Sequence, residues 1–556
     1  MKLHSHFLKL HSHHGGPAEI PVTLDELAHT LGCTHRNALH IINKMAGLAW
    51  ITWTPSRGRG KRSKLTFLAD AEEIALESMK QAISSKDVGS AIEGIRGHAR
   101  SSSLQNTLQG WLLAYFGHHS EIRSNKQIDT LRLPVNQKLH TFDPLYMNLL
   151  AESFVSSHVF DGLVGRSSER GIVPGLAHAW DVDGSRTGWT FHLRKEVLFH
   201  HGKVLSAEDV VYSLQRLMQT SQRTLYSSIF KEITGVEALN STTVRIVLRK
   251  PNELFLPFLC TSRAAIVPRD MESGPEGDFG RRPVGTGPFK LVEISEELCV
   301  LEVFPYYYQG RAHLDRVEIL YVPFGIEQVQ PDTASAFHVI PNPSTADAAS
   351  WSRIHSESYV RKFVTCNTKK NGPLSDPQLR ADILSCLDEA ASPSASGTPE
   401  LVPGPLQIAT IPQYLGDAGH IASRLIRRGY ACTVLSVSPE EFKGPVRLQS
   451  DLIVFSLLRD QDEELRLFDL YQTLAEHVEP GIRSGIEGML NLIAREPDPR
   501  ARAGGFKRIE DKLTQDHQLH ILYEKPVQTA YLPSVRGVTF NSQGWVDLRH
   551  LWFPRV

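Results

Sequence analysis

Between Thr23 and Leu68 the apolar positions first recur at helical spacing and then alternate. Leu24, Leu27, Ala28 and Leu31 share one face of a helix. Thr23 and Glu26 form a capping-box pattern at its start: the hydroxyl accepts a free helix amide and the carboxylate reaches back to the first backbone N–H. Gly32-Cys33 supplies a turn, since glycine enters the left-handed region without penalty. Thr34 then caps a second helix to about Ala46, with Ala38, Ile41, Ile42 and Met45 facing inward. Trp50-Ile-Thr-Trp53 and Leu65-Thr-Phe67 alternate like strands of a hairpin. Two helices joined by a tight turn and followed by a hairpin predict an α-helical winged helix-turn-helix head.

Beyond Ala69 the period is helical again. EEIALESMKQAI places Ile74, Ala75, Met79 and Ile83 on one stripe; IEGIRGHA and LQNTLQGWLLAYF read as further helices. The first stripe can dock on the head or on a second copy of it, and a homodimer suits operators with two half-sites. From Asp129 strands and helices alternate. TLRLPV, WTFHLRK, TVRIVLRK and VEILYV read as strands, and PLYMNLLAESFV and LSAEDVVYSLQRLM as helices. LQIATI, AGHIASRLIRRG, YACTVLSV and SDLIVFSLLRD continue the alternation. The body is therefore α/β, without a glycine-rich phosphate loop. The expected division is a head at 1–68 with a His-rich tail, a helical connector at 69–128 and a body at 129–556, whose second lobe spans about 375–505.

Charge sharpens the reading of the head. The chain of 556 residues carries a net charge of −1, yet the first 68 residues hold nine Lys+Arg against three Asp+Glu. A basic head on an acidic body points to a polyanion at the head. Thr34, His35, Arg36, Asn37, His40, Asn43 and Lys44 occupy the cap and polar face of the second helix and suit base edges and phosphates. Arg57, Arg59, Lys61, Arg62 and Lys64 crowd the hairpin tip, where mutual repulsion favours contact with phosphates. Double-stranded DNA is the expected partner.

Other chemistry is sparse. His4, His6, His11, His13 and His14 fit no closed metal-ligand spacing, and a solvated or partly helical tail is expected there. The six cysteines are scattered without a C-x-x-C pair and read as reduced, buried thiols. No metal or cofactor is expected. No G-x-S-x-G or H-E-x-x-H occurs in a supporting context, which argues against an enzyme. The N-terminus lacks an apolar core of signal-peptide length and no segment approaches the ~18 apolar residues of a membrane span, so a cytoplasmic protein without membrane contact is expected.

Four blocks of the body carry a resemblance. Phe160 to Leu217 (FDGLVGRSSERGIVPGLAHAWDVDGSRTGWTFHLRKEVLFHHGKVLSAEDVVYSLQRL) resembles the signature of family 5 solute-binding proteins, the oligopeptide/dipeptide/nickel class that partners ABC transporters. Pro283–Leu291, Val303–Val322 and Cys366–Asp388 follow in the order that family expects. His200-His201-Gly202 departs from the family's His-Asp-Gly, no Gly-x-x-Asp appears near Asp332–Val339, and Ser392–Pro405 looks compressed. With the basic head in front, the whole chain resembles the SgrR-type bacterial transcriptional regulators. The resemblance implies a two-lobed, type II periplasmic-binding-protein-like body that senses a small solute such as a sugar phosphate, oligosaccharide or peptide. In that two-lobe scheme Asn136, Gln137, Asp143, Tyr146, Asn367 and Thr368 would lie near the cleft, although each also reads as a turn or capping residue. The rival reading is an extracytoplasmic receptor of an ABC transporter.

Overall fold

The computed structural model describes residues 2–15, 19–56, 62–84, 115–135, 138–147, 150–167, 171–220, 224–273, 279–295, 298–321, 339–341, 352–370, 372–388, 404–438, 441–442, 444–459, 462–531, 535–540 and 546–554. The head opens with α1 (Lys2–His14), the stretch expected to be a solvated or partly helical tail. Instead Phe7, Leu8 and Leu10 are fully buried. The Phe7 ring meets Trp50 and Phe67 edge-on, at centroid distances of 5.7 and 5.5 Å. Histidines interleaved with Leu3, Phe7 and Leu10 mask an i, i+4, i+7 stripe that seals one side of the head.

Strand β1 (Ile20–Val22) leads into α2 (Leu24–Leu31), a turn, and α3 (His35–Gly47). The capping box is formed: Glu26 N–H donates to Thr23 Oγ1 (3.2 Å) and Thr23 N–H to Glu26 Oε2 (2.9 Å). Gly32 ends α2 at φ +64°, a conformation that would strain a side chain-bearing residue. β2 (Ile51–Thr54) and β3 (Ser63–Phe67) form the hairpin, and β1 adds a third strand in the order β1-β3-β2. α4 (Ala71–Ser84) follows, burying Ile74 and Ala75. The helices read over 92–99 and 104–114 lie outside the described residues.

The body begins with the hairpin β4 (Gly117–Arg123) and β5 (Lys126–Val135), then α5 (Leu150–Val159) and the hairpin β6 (Val164–Ser167) and β7 (Gly171–Pro174). The helix read from Pro144 starts only at Leu150. Arg263 takes the carbonyls of Pro144, Leu145 and Met147, which a helix would have needed for its own ladder. β8 (Ala177–Val182), β9 (Gly188–Leu193), β10 (Ile233–Asn240) and β11 (Thr243–Leu248) make an antiparallel sheet in the order β10-β11-β9-β8. α6 (Ala207–Gln219), capped by Ser206 and Asp209, packs against it. β12 (Phe289–Ile294), β13 (Leu298–Val303) and β14 (Arg316–Tyr321) join the first hairpin as a five-stranded sheet, β12-β13-β14-β5-β4, with β14 and β5 parallel.

The second lobe is built on six strands: β15 (Val339–Pro341), β16 (Ser352–Cys366), β17 (Leu406–Thr410), β18 (Cys432–Ser436), β19 (Leu452–Arg459) and β20 (Leu519–Tyr531). Their order is β15-β20-β16-β19-β17-β18, so the sheet draws on strands on both sides of the 375–505 range. Helices α7 (Pro377–Ser385), α8 (Leu415–Arg427), α9 (Glu463–Leu474), α10 (Pro480–Arg495) and α11 (Pro499–Gln515) complete it. The chain then returns to the first lobe, where Val535, Val546, Leu548 and Leu551 share a core with Leu131, Leu301 and Val317. The six cysteines are free thiols. Among the described residues no helix is long and apolar enough to cross a membrane.

The turn at Gly285-Thr-Gly-Pro288 shows why its glycines are required. A Cβ on Gly285 would sit 2.0 Å from the Val159 carbonyl oxygen, and one on Gly287 2.6 Å from that of His158. His200 braces this turn: Nδ1 accepts from Gly285 N–H (3.2 Å) and Nε2–H donates to Gly287 O (3.0 Å). Burial lowers its pKa to about 4, and burial likewise lowers that of His477 to about 3. The unfolded chain takes up these protons below about pH 6.5, whereas the folded chain refuses them until its lowered pKa is reached. Stability is therefore full above about pH 6.5 and falls as pH drops toward 4, by up to about 1.4 kcal/mol per unit for each histidine. Denaturant unfolding at about pH 7.5 and pH 5 should show this loss, and His200→Gln, which keeps donor and acceptor without titrating, should reduce it.

Candidate nucleic-acid interface and solute cleft

α3 is two-faced. Ala38, Ile41, Ile42 and Met45 are buried, while Thr34, His35, Arg36, Asn37, His40, Asn43 and Lys44 are all exposed. The helix is held by the Thr34 cap, to which Asn37 N–H donates at 3.5 Å. Among the described residues neither Arg36 nor Lys44 is in an ion pair, so both cations face solvent. His35 instead meets Asp25 of α2. Of the hairpin cations, Arg62 pairs with Glu26 (3.5 Å) and Lys64 with Glu19 (2.6 Å), both pairs exposed. Arg57, Arg59 and Lys61 lie outside the described residues. Thus α3 and the flanks of the hairpin each carry exposed cations.

A cavity of about 510 Å³ lies between the lobes. The first lobe contributes Asp161, Arg166 and Tyr308, the returning C-terminal segment Asp547 and Arg549, and the second lobe Asp462 and Arg466 at the start of α9. Arg166 Nε lies 3.0 Å from Asp462 Oδ1, an ion pair across the lobes whose N–H is not aimed along a hydrogen bond. Arg549 Nε contacts both Asp547 oxygens at 2.9 and 2.8 Å. Burial opposes ionisation of Asp547, but the hydrogen bonds and charge of Arg549 hold its carboxyl below the ordinary range. Burial pushes Asp161 the other way, upward, against the charge of Arg549 and the hydroxyls of Thr286 and Tyr307, which donate at 3.1 Å each. His158 donates from Nδ1 to Phe154 O (2.8 Å) and accepts Leu548 N–H at Nε2 (3.1 Å), which sets its tautomer; burial lowers its pKa. The floor is a fixed array of donors and acceptors, suited to holding a polar solute.

Four of the six cleft residues chosen from sequence stand elsewhere, and the other two are not described. Asn136 and Gln137 lie outside the described residues. Asp143 is buried, pairs with Arg216 (2.7 Å) and accepts Leu145 N–H (3.0 Å). Tyr146 is 42% exposed. Asn367 donates to the carbonyls of Leu448 (2.7 Å) and Ser450 (2.9 Å), and Thr368 donates to Gln518 and accepts Glu479 N–H, both at 3.1 Å. None of these four lines the cavity. Asp161 sits in the FDG block and Arg166 five residues on, but only the return of the chain reveals Asp547 and Arg549.

Residues 2–118 match the family described as sugar transport-related sRNA regulator N-term, and residues 171–391 match bacterial extracellular solute-binding proteins, family 5 middle. The chain is 25% identical over 580 residues to the HTH-type transcriptional regulator SgrR of Pectobacterium atrosepticum, covering 99% of this chain and 98% of that protein. It is 26% identical over 572 residues to the YhjP protein of Bacillus subtilis, covering 96% of each. Among solved structures, the periplasmic binding protein DppA from Helicobacter pylori in complex with the peptide STSA has a TM-score of 0.65 at 18% identity, covering 77% of this chain and 98% of that one. At that identity the likeness speaks to fold: the body is a two-lobed periplasmic-binding-protein type.

Asp547 is buried and Arg549 half-buried, so replacing the arginine leaves a buried carboxylate uncompensated. Arg549→Met should lower unfolding free energy by about 3 kcal/mol, and adding Asp547→Leu should recover much of it. Equilibrium denaturation of the parent chain and these two variants measures this.

Proposed function

Since the chain is an SgrR-type regulator, with that family's N-terminal domain ahead of a family 5 solute-binding body, we propose that it binds double-stranded DNA through α3 and the basic hairpin, and that a small solute in the interlobe cleft tunes this binding. The observation that carries the reading is the exposed polar face of α3 opposite a fully buried apolar one. A helix held this way enters the major groove with its N-terminal residues toward the bases. Arg36, Asn37 and His40 would read base edges. Arg57, Arg59, Lys61, Arg62 and Lys64 would hold phosphates or reach the minor groove, with Thr34, His35, Asn43 and Lys44 beside them. DNA would then take Arg62 and Lys64 from Glu26 and Glu19.

The cleft acts by selection between conformations. A solute shifts the lobes only as far as it binds one arrangement better than the other, and such couplings amount to about 1–3 kcal/mol. Work on chromosomal DNA calls for a cytoplasmic protein, and two half-sites would suit a homodimer. The regulator and solute-binding relatives support a binding rather than a catalytic role for the cleft, so we assign no enzymatic activity. A sugar phosphate, an oligosaccharide or a peptide fits that class of solute.

The test is the salt dependence of binding to duplex DNA by the full chain. Replacing the five hairpin cations with Ala should weaken binding to all sequences. It should also flatten the slope of log K against log salt, by about 0.9 for each phosphate that is no longer neutralised. Arg36→Ala with Asn37→Ala should relax sequence preference by about 1–3 kcal/mol per base pair read. An unchanged slope removes the hairpin assignment; no binding at low salt removes the function.

A further inference from the structure

Beside the polar cavity lies a second one, of about 590 Å³, also walled by both lobes. Its character is different. Tyr414, Phe442, Phe455, Leu457 and Leu470 of the second lobe face Leu225 and Tyr226 of the first. Phe442 and Phe455 pack edge-on at 5.4 Å, giving the wall a rigid aromatic corner. Leu225, Tyr226 and Arg466 line both cavities, so the two chambers meet at these residues. One chamber is floored by the Asp161, Asp547 and Arg549 array; the other is more apolar, its rings and aliphatic chains rimmed by polar residues such as Lys231, Arg447 and Glu476.

The junction itself is unusual. Tyr226 adopts φ +65°, a left-handed backbone that a bulky residue enters only at a cost. Its N–H donates to Asp469 Oδ1 of α9 at 2.9 Å, a bond that crosses from one lobe to the other. The wall between the chambers is thus shaped by contact between the lobes, and the strained residue, itself buried, stands in it. Strain of this kind concentrates where a ligand is clamped.

We propose that the cleft takes an amphipathic solute: a polar head in the chamber of Asp161, Asp547 and Arg549, and an apolar arm, about a phenyl ring or longer, passing Tyr226 into the chamber of Phe442 and Phe455. The proposal rests on the reading of the interlobe cleft as the solute site and names the class of solute it selects. Each chamber has the size of a small-molecule pocket, and burying an arm of phenyl size adds affinity that a polar solute alone does not gain.

Calorimetric titration of the full chain with two matched pairs of probes tests it: glucose against phenyl β-D-glucoside, and glycylglycine against glycylphenylalanine. In at least one pair the arm-bearing probe should bind about tenfold or more tightly. Ile411 lines only the apolar chamber. Ile411→Trp, which pushes an indole into it, should abolish that gain while leaving the armless probe unchanged, and Ile411→Val should keep it. Equal affinities within both pairs, a gain that survives Ile411→Trp, or no binding by any probe would overturn the amphipathic class. The salt slope of DNA binding, measured on the same protein, reports the head separately, so failure here and failure of the regulator reading are distinguishable.

Discussion

Side chains alternate across a strand, so a sheet with two apolar faces needs a cover on each. The five-stranded sheet of the first lobe is of this kind. Cys299, Leu301, Val317 and Ile319 face the lobe's own core. Leu298, Val300 and Leu320, on the opposite side, belong to the same apolar cluster as Phe116 and the core of the winged helix. On that outer side Arg132 donates to Glu318 (2.8 Å), and its guanidinium stands 4.5 Å from the centre of the Tyr115 ring. Burial opposes ionisation of Glu318, but Arg132 and Arg316 hold its carboxyl below the ordinary range. The end of the connector is therefore anchored to the body by packing and by a cation–π contact. If the outer face were bare, its apolar residues would each forfeit about 1.5–3 kcal/mol of burial, so covering it ties the head to the body.

On the proposed function, that attachment is what a change in the cleft would move. One apolar cluster runs through both lobes, from Phe191 and Phe258 to Phe468 and Tyr471. Polar contacts cross with it: Arg166 to Asp462, Tyr226 N–H to Asp469, and Glu253 N–H to the Ala494 carbonyl at 2.7 Å. On the proposed function, a solute in the cleft would bear on these contacts, and the polar floor stands on the same core that the five-stranded sheet covers. His158 shows the connection at a single residue: it lines the cleft, accepts Leu548 N–H from the returning chain, and its ring lies 6.3 Å from that of Phe289 on β12.

What was legible in the sequence was local. The Thr23–Glu26 box, the Gly32 turn, the Thr34 cap and the buried stripe of α3 each depend on residues within a few positions of one another, and each forms as the spacing implies. The α1 stripe was hidden because histidines break the contrast between polar and apolar positions. The strands of the body were visible from their alternation, and their order was not, since β5 pairs with β14 across a long insertion. The cleft was the least legible part. Asn367 and Thr368 look like exposed polar residues after a strand, yet neighbours distant in sequence, Leu448 and Gln518, bury and occupy them. Asp547 and Arg549 form a site only because the chain re-enters the first lobe after β20.

Cleft and head, on this reading, share one equilibrium. Linkage makes the coupling directly measurable, because a solute that changes DNA affinity must have its own affinity changed by DNA to the same degree. The decisive measurement is the affinity of the full chain for a duplex selected by the protein itself, with and without a solute that raises the melting temperature of the body. A shared equilibrium gives a shift of about 5- to 150-fold, matched by an equal shift in solute affinity when the duplex is saturating. A solute that stabilises the body while leaving DNA affinity unchanged would contradict it.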